Sequence, residues 1–263
     1  MSPAAVWHPP SPWPARWVGP ALWLGLAAFV AWNVWNLEVD AARVARGLAR
    51  AGIVFGRAFP PDFHRWELLV EGIVESLQMA TLSTALGTAI GIPVAVMAAR
   101  NVAPLPVYAM GRGIVSVGRT FHEIIVAIVL VKAVGFGPLA GMLTLTVSSL
   151  GFFSKLLAEQ IEQIDRGQIE AVRATGAGRG AVLLYGVLPQ VLPRIVGLTV
   201  YQWDIHLRQS TIIGIVGAGG VGTTLYNSFS RYDYDFTLAI LLVIVAIVSL
   251  GEWGSAWARR RIQ

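Results

Sequence analysis

Ionisable side chains set inside long apolar runs are the first chemistry in this sequence. Asp204 and Arg208 stand four residues apart, and Arg119 and Glu123 repeat that spacing. Four residues is about one helical turn, so each pair can share a face. His122, Gln202, His206, Gln209, Ser210 and Thr211 add donors and acceptors beside them. A charge at the centre of a membrane helix costs about 2.5–3.5 kcal/mol on insertion scales, so it turns toward a partner or a watery cavity. Two chemistries fit. One is a polar route for an anionic solute, with arginine as the oxyanion contact. The other is pairwise neutralisation that only supports packing. For the two pairs the sequence leaves both open.

Other chemistry finds little support. No nucleophile stands with a base and an orienting acid. The chain has no cysteine, and His8, His64, His122 and His206 lack metal-ligand spacing. There is no G-x-x-x-x-G-K-[ST] loop, so ATP cannot be held that way. Gly217, Gly219 and Gly222 spell G-x-G-x-x-G, but the dinucleotide fingerprint needs a strand before it and a helix after it. Here an apolar span precedes it, and residues 227–235 read as a polar loop. A flexible break bordering a solute route is the better expectation, because irregular backbone at membrane depth is tolerated where it is buried or lines a cavity. That places Gly217, Gly219 and Gly220 with the polar route. A nucleotide-binding membrane oxidoreductase stays as the alternative from a different class.

The elements that must position these residues are membrane helices. Of 263 residues 55% are hydrophobic and 13% charged, with mean hydropathy +0.62. A soluble domain carries about 25% charge. Some 20 apolar residues cross the hydrocarbon core as a helix. Spans are expected at 17–37, 74–99, a third beginning before Arg119 and ending near Val134, 139–157, 187–215 and 236–253. Gly87, Gly91, Ala85 and Ala95 suit close helix packing in the second span. Pro93 is expected to kink it. Residues 1–16 form a Pro-rich tail on the cytoplasmic side, and 38–71 an outer loop of short surface helices divided by Pro60-Pro61. Net charge is +5. The basic residues flank apolar runs, so they orient a membrane protein and do not point to nucleic acid. Lys155, Arg166, Arg173, Arg179 and Arg194 place the loop after the fourth span inside, and Arg259-Arg260-Arg261 place the C-terminus there. The basic residues of 38–71 go against this rule.

That inner loop, at about 159–189, carries a second motif. It reads Glu170-Ala171-Val172-Arg173-Ala174-Thr175-Gly176, then Ala177, Arg179, Tyr185 and Leu188-Pro189. A short helix over 169–177 is expected, with Glu170 at its start suiting the dipole and Gly176 and Gly178 ending it. Such a helix could dock in a groove on a soluble partner.

The spacing resembles the EAA loop of ATP-binding-cassette import permeases, with Val172 and Gly186 replacing the usual Ala and Ile. Residues 75–263 resemble the phosphonate permease family more narrowly. The blocks are Ala98-Ala99-Arg100-Asn101, Arg119-Thr120-Phe121-His122-Glu123, Glu159–Asp165, Tyr185–Pro193, the stretch at Arg208, and Gly214–Gly222. Thr120-Phe121-His122-Glu123 stands where the family usually has Ile-Pro-Glu, and His206 where it has Asn, which leaves the exact ligand open.

The resemblance implies an all-α polytopic fold of about six spans, of the type I ABC importer (MetI-like) kind, with residues 72–263 as the permease core. It implies a non-catalytic subunit of a cell inner membrane importer, both termini cytoplasmic. Two copies would pair around a path for phosphonate or a related phosphorus oxyanion. A solute-binding protein would deliver the solute, and two ATPase subunits, binding ATP and Mg that this chain does not bind, would grip Glu170, Ala171, Arg173, Gly176, Ala177, Leu188 and Pro189. Arg119, His122, Glu123, Asp204, His206, Arg208, Ser210, Thr211, Gly217, Gly219 and Gly220 would line the path. A permease for methionine or another small solute is the sibling reading.

Overall fold

A computed structural model describes residues 17–37 and 40–262. The Pro-rich tail at 1–16 lies outside them. The chain divides into two compact units, 1–56 and 57–263.

The first unit holds α1 (Val18–Asn36) and most of α2 (Ala41–Ala58). None of α1 is buried, as suits an apolar helix whose solvent is lipid. In α2, Arg43, Arg46, Arg50 and Arg57 recur at spacings of three, four and seven residues, which gathers them on one helical face. Val44, Leu48 and Phe55 share the other. A helix with one basic and one apolar face suits a membrane surface. The expected short helices of the first loop are this single element, and Pro60-Pro61 lies beyond its end.

The second unit begins with α3 (Trp66–Ala98), eight residues ahead of the expected start, and runs on through Pro93. Next come α4 (Leu105–Thr120), α5 (Glu123–Val134) and α6 (Pro138–Glu162). A nine-residue helix, α7 (Arg166–Ala174), and a short α8 (Arg179–Ala181) follow. A π-helical turn, Val182–Val187, leads into α9 (Leu188–Gly214), and Arg179–Gly214 forms one 36-residue span. The unit closes with α10 (Val221–Ser230) and α11 (Tyr234–Ile262).

Helices α3 and α6 lie side by side and parallel. Gly87 meets Ser149, and Gly91 meets Phe153. Ala95 is buried as expected, but Ala85 is exposed. Helix α9 runs the other way, with Thr88 beside Thr199 and Ser83 beside His206. Between α3 and α6 the chain must return across the bundle, and α4 and α5 do this together. The route leaves near Asn101, whose side chain donates to Ile161 O, and arrives at Gly137, whose N–H donates to Gly217 O at the other end. The return is broken: two extended residues, Phe121 and His122, bend it by 89°. The third span therefore comes as two helices.

Three apolar clusters fill the unit. Val94, Ala98, Phe153, Leu157, Ile161, Ile169 and Val191 pack at the α7 end. Met79, Leu145 and Ile213 form the middle. Leu69, Val221, Phe236 and Ile240 form the far end. No strand occurs among the described residues. A helix does follow Gly217–Gly220, contrary to the polar loop expected at 227–235, but a helix also precedes it, so the dinucleotide fold is absent.

Candidate functional site

The polar stretch after α6 folds tightly. Asp165 caps α7, its carboxylate accepting from Gly167 N at 2.9 Å, as aspartate does at a helix start. The helix thus begins at Arg166, and Glu170 sits mid-helix instead of at the positive end. Helix α7 stops before Gly176, whose φ of +79° is a left-handed turn that glycine adopts without strain. Ile169 is buried against the bundle, with Val172 packed against the same cluster. Its Cα approaches Gly186, where an added Cβ would lie 3.5 Å away. Glu170, Ala171 and Arg173 are exposed, while Ala177 is half-buried. The helix is therefore anchored by one face and offers a charged face outward.

Two residues that the sequence reading held within its blocks without giving them a role hold this arrangement. Glu162 Oε1 accepts from Arg100 N at 2.9 Å and from Arg112 Nη2 at 2.8 Å, tying the end of α3 and the middle of α4 to α6. Gln190 accepts from Asp165 N at 2.9 Å and donates to Gly186 O at 2.7 Å, tying α7 to α9. Their signals in the sequence are a place within those blocks and a polar residue at the edge of an apolar run. Leu188 and Pro189 belong to a continuous helix, not to a loop. Leu188 N donates five residues back to Leu183 O, the wide turn of the π segment. Pro189 follows it, with no N–H to place.

The predicted polar route divides into three groups. Arg119 and His122 are exposed at the α4–α5 break, and Arg208 is exposed on α9. His122 Nδ1 caps α5 by accepting from Ile124 N at 3.4 Å. The expected Arg119–Glu123 pair does not form, because the break falls between them. Glu123 instead accepts from Gln209 Nε2 of α9 at 2.9 Å. The Asp204–Arg208 pair does form, at 3.2 Å, with Asp204 buried and Arg208 55% exposed.

The second group is interior. His206 is fully buried, 3.0 Å from Ser83 Oγ and 2.8 Å from Thr84 Oγ1 through Nδ1. Its Nε2 lies 3.0 Å from Ser149 Oγ and 2.7 Å from Gln202 Nε2. Ser210 is buried and donates to Leu207 O at 2.7 Å.

The third group is the glycine turn. Gly219 and Gly220 have φ of +83° and +74°, and a Cβ on Gly219 would lie 2.6 Å from Pro138 N. Gly220 N donates to Glu75 Oε2 at 2.8 Å, and Val221 N to Ser76 Oγ at 3.0 Å. Thr211 is half-buried, and its carbonyl abuts Gly222. The turn is close-packed and pinned, in contrast to the flexible break expected. Among the described residues no group of three or more His, Cys, Asp or Glu could hold a metal ion.

Comparison with known proteins agrees with this architecture. The model of the family described as binding-protein-dependent transport system inner membrane component matches residues 91–263. The phosphite transport system permease protein PtxC of Stutzerimonas stutzeri is 38% identical over 244 residues, covering 92% of this chain and 88% of that protein. The phosphate-import permease protein PhnE of Mycolicibacterium smegmatis is 42% identical over 211 residues, 80% of this chain and 40% of that protein. The solved inward-facing MetNI methionine ABC transporter is 26% identical with a TM-score of 0.67, covering 77% of this chain and 99% of the matched chain. The match of fold, motif spacing and family model agrees across most of the molecule: the chain belongs to the binding-protein-dependent transport system inner membrane components.

Proposed function

We propose that this permease subunit of an ABC importer carries a phosphorus oxyanion, and that α7 is the lever gripped by a separate ATPase. The observation that carries the coupling role is the two-faced α7: Ile169 locked into the bundle, Glu170 and Arg173 free to meet a partner. A push on that face reaches α6 through the Glu162 and Asp165 region, and α9 through Gln190. The names of the phosphite and phosphate permeases support the choice of solute. Two copies of the chain would enclose the path, with two ATPases on the α7 side and a solute-binding protein at the opposite end. On this reading α7 and both termini are cytoplasmic, in a cell inner membrane. Arg119, His122 and Arg208 are the path residues best exposed to a solute, with Glu123 half-buried beside them. His206 and the glycine turn would shape the path from behind.

Likeness to a methionine transporter favours a second solute class. Uptake into vesicles holding the assembled transporter separates the two. Labelled phosphite should be taken up with ATP and be displaced by phosphonate or phosphate, but not by methionine. Displacement by methionine alone would transfer the protein to the second class.

A further inference from the structure

Helix α2 is apolar on every side but one. Of its 18 residues, Arg43, Arg46, Arg50 and Arg57 are the only polar ones; the rest are Ala, Gly, Val, Leu, Ile and Phe. At 3.6 residues per turn the four fall within an arc of about 60°, and all four are exposed. Val44, Leu48, Ile53 and Phe55 are exposed as well, each by more than half. A helix lying half in water carries polar side chains across its outer half; here they occupy about a sixth of the cylinder. Four residues join α2 to the apolar span α1, which holds its start within about 18 Å of the end of that span. Two carboxylates, Glu38 and Asp40, stand just ahead of the helix. Asp40 accepts from Ala42 N at 2.8 Å and pairs with Arg46 at 3.4 Å. Arg43, Arg50 and Arg57 make no ion pair among the described residues. With Glu38 counted against them, residues 38–58 still carry four arginines and two acids.

We propose that α2 docks on anionic phospholipid headgroups, sunk into the outer leaflet as far as its arginine stripe. The wide apolar arc then lies among acyl chains, and the stripe sits at the level of the phosphates instead of in bulk water. Guanidinium suits that layer, with donors held in one plane for two oxygens at once, and α2 contains no lysine. Each arginine near an anionic surface favours it by about fivefold. Basic residues on the outer side go against the orientation rule, and a phosphate partner gives these a use there. The choice of leaflet rests on the reading of α7 as cytoplasmic, because α2 precedes the remote end of α3. The attraction to the headgroups does not depend on that reading.

The test uses the full chain in phosphatidylcholine nanodiscs. The chain has no cysteine, so Leu48→Cys provides a single site for a bimane label on the apolar arc. The discs carry the same minor share of either nitroxide-labelled phosphatidylglycerol or nitroxide-labelled phosphatidylcholine, and quenching of the bimane reads which lipid gathers at α2. Both should quench, with phosphatidylglycerol enriched about fivefold or more over phosphatidylcholine. Arg43→Gln, Arg50→Gln and Arg57→Gln in one chain should bring that ratio close to one. Quenching by phosphatidylcholine should persist in this variant, which shows that the helix is still folded and still in lipid. Equal quenching by the two lipids in the chain with all four arginines would overturn headgroup recognition. No quenching by either would overturn the docking itself. So would shielding of the label from water only on addition of the solute-binding protein, which would give the stripe to an acidic protein face. No solute, ATP or ATPase takes part, so failure here leaves the proposed function standing, and a transporter that imports no phosphorus oxyanion leaves this result unchanged.

Discussion

His206 Nδ1 lies 2.8 Å from Thr84 Oγ1 and joins α9 to α3 inside the apolar bundle. The surrounding bonds fix the direction of this contact. The Thr84 hydroxyl lies 2.6 Å from Ala80 O and that of Ser83 2.5 Å from Met79 O, so both hydroxyl protons are committed to backbone carbonyls. Their oxygens then accept, and His206 must carry its proton on Nδ1. Its Nε2 is left to accept from Gln202 and Ser149. One neutral ring thereby ties α3, α6 and α9 together.

Removing that ring should loosen the bundle unevenly. In His206→Ala, Ser83 and Thr84 keep their carbonyl partners, whereas Gln202 Nε2 and Ser149 lose theirs. A membrane-embedded hydrogen bond averages about 0.6 kcal/mol, up to about 1.7, and a vacated cavity adds to this. The expected loss is about 2–3 kcal/mol, against less than about 1 kcal/mol for Ser83→Ala. Unfolding of the detergent-solubilised chain in rising dodecyl sulfate measures both. Equal losses would contradict the assigned proton position.

Helix α4 should depend on a glycine contact. A Cβ on Gly151 would lie 2.6 Å from the Gly118 carbonyl carbon, so the two backbones nearly touch. Gly151→Val has to push α4 from α6, at a cost of about 1–3 kcal/mol for overpacking. The contact lies three residues before the α4–α5 break, so the variant should also alter the Glu123–Gln209 bond. Crosslinking of cysteines introduced on α4 and α6 should slow relative to the same pair without the valine. An unchanged rate would mean that the helices already sit farther apart.

Much of this was legible in the sequence because membrane helices announce themselves by length and apolarity. The span positions, the Asp204–Arg208 pair and the end of α7 at Gly176 all follow from local rules. The α4–α5 break was not legible, since Thr120-Phe121-His122 contains neither Gly nor Pro. Its cause is tertiary: the Gly118–Gly151 approach fixes α4, and Glu123 finds Gln209 on α9. The start of α7 was misjudged for a different reason. Apolar pattern marks Ile169, while the cap that sets the boundary is Asp165, four residues earlier. The glycine turn reads as pliant from composition, yet Glu75 and Ser76, more than 140 residues away in sequence, hold it by two backbone N–H groups.

The Asp204–Arg208 pair allows packing and transport to be separated. Asp204 is 4% exposed, and its second carboxylate oxygen has no partner. Arg208→Gln would strand that charge, so a purely structural pair predicts poor assembly, rescued by Asp204→Asn in the same chain. A path arginine predicts otherwise. We expect Arg208→Gln to assemble at near-normal levels, because a guanidinium facing a watery path would already be screened from its partner. Phosphite uptake should fall about tenfold or more, the scale of one lost contact to an anion, and Asp204→Asn should not restore it. Full restoration in the double variant would assign Arg208 to packing alone.

The exposed face of α7 should transmit force without contributing to the fold. Glu170 lies on that face, with no side-chain hydrogen bond or ion pair among the described residues, so Glu170→Ala should leave the stability of the solubilised chain within about 0.5 kcal/mol. Gly176 is different: its left-handed φ makes any side chain strained, and Gly176→Asp should unwind the end of α7 at a cost of about 1 kcal/mol or more. Both variants should reach the membrane. Both should separate ATP hydrolysis from phosphite uptake in reconstituted transporter, the ratio of ATP spent to phosphite moved rising severalfold. Asp165→Ala supplies the comparison, since it removes the cap and loosens the anchored start of the helix while leaving the exposed face intact. Coupling lost in Asp165→Ala but normal in Glu170→Ala would mean that α7 matters for its attachment to the bundle and that its outer face is not where the ATPase holds it.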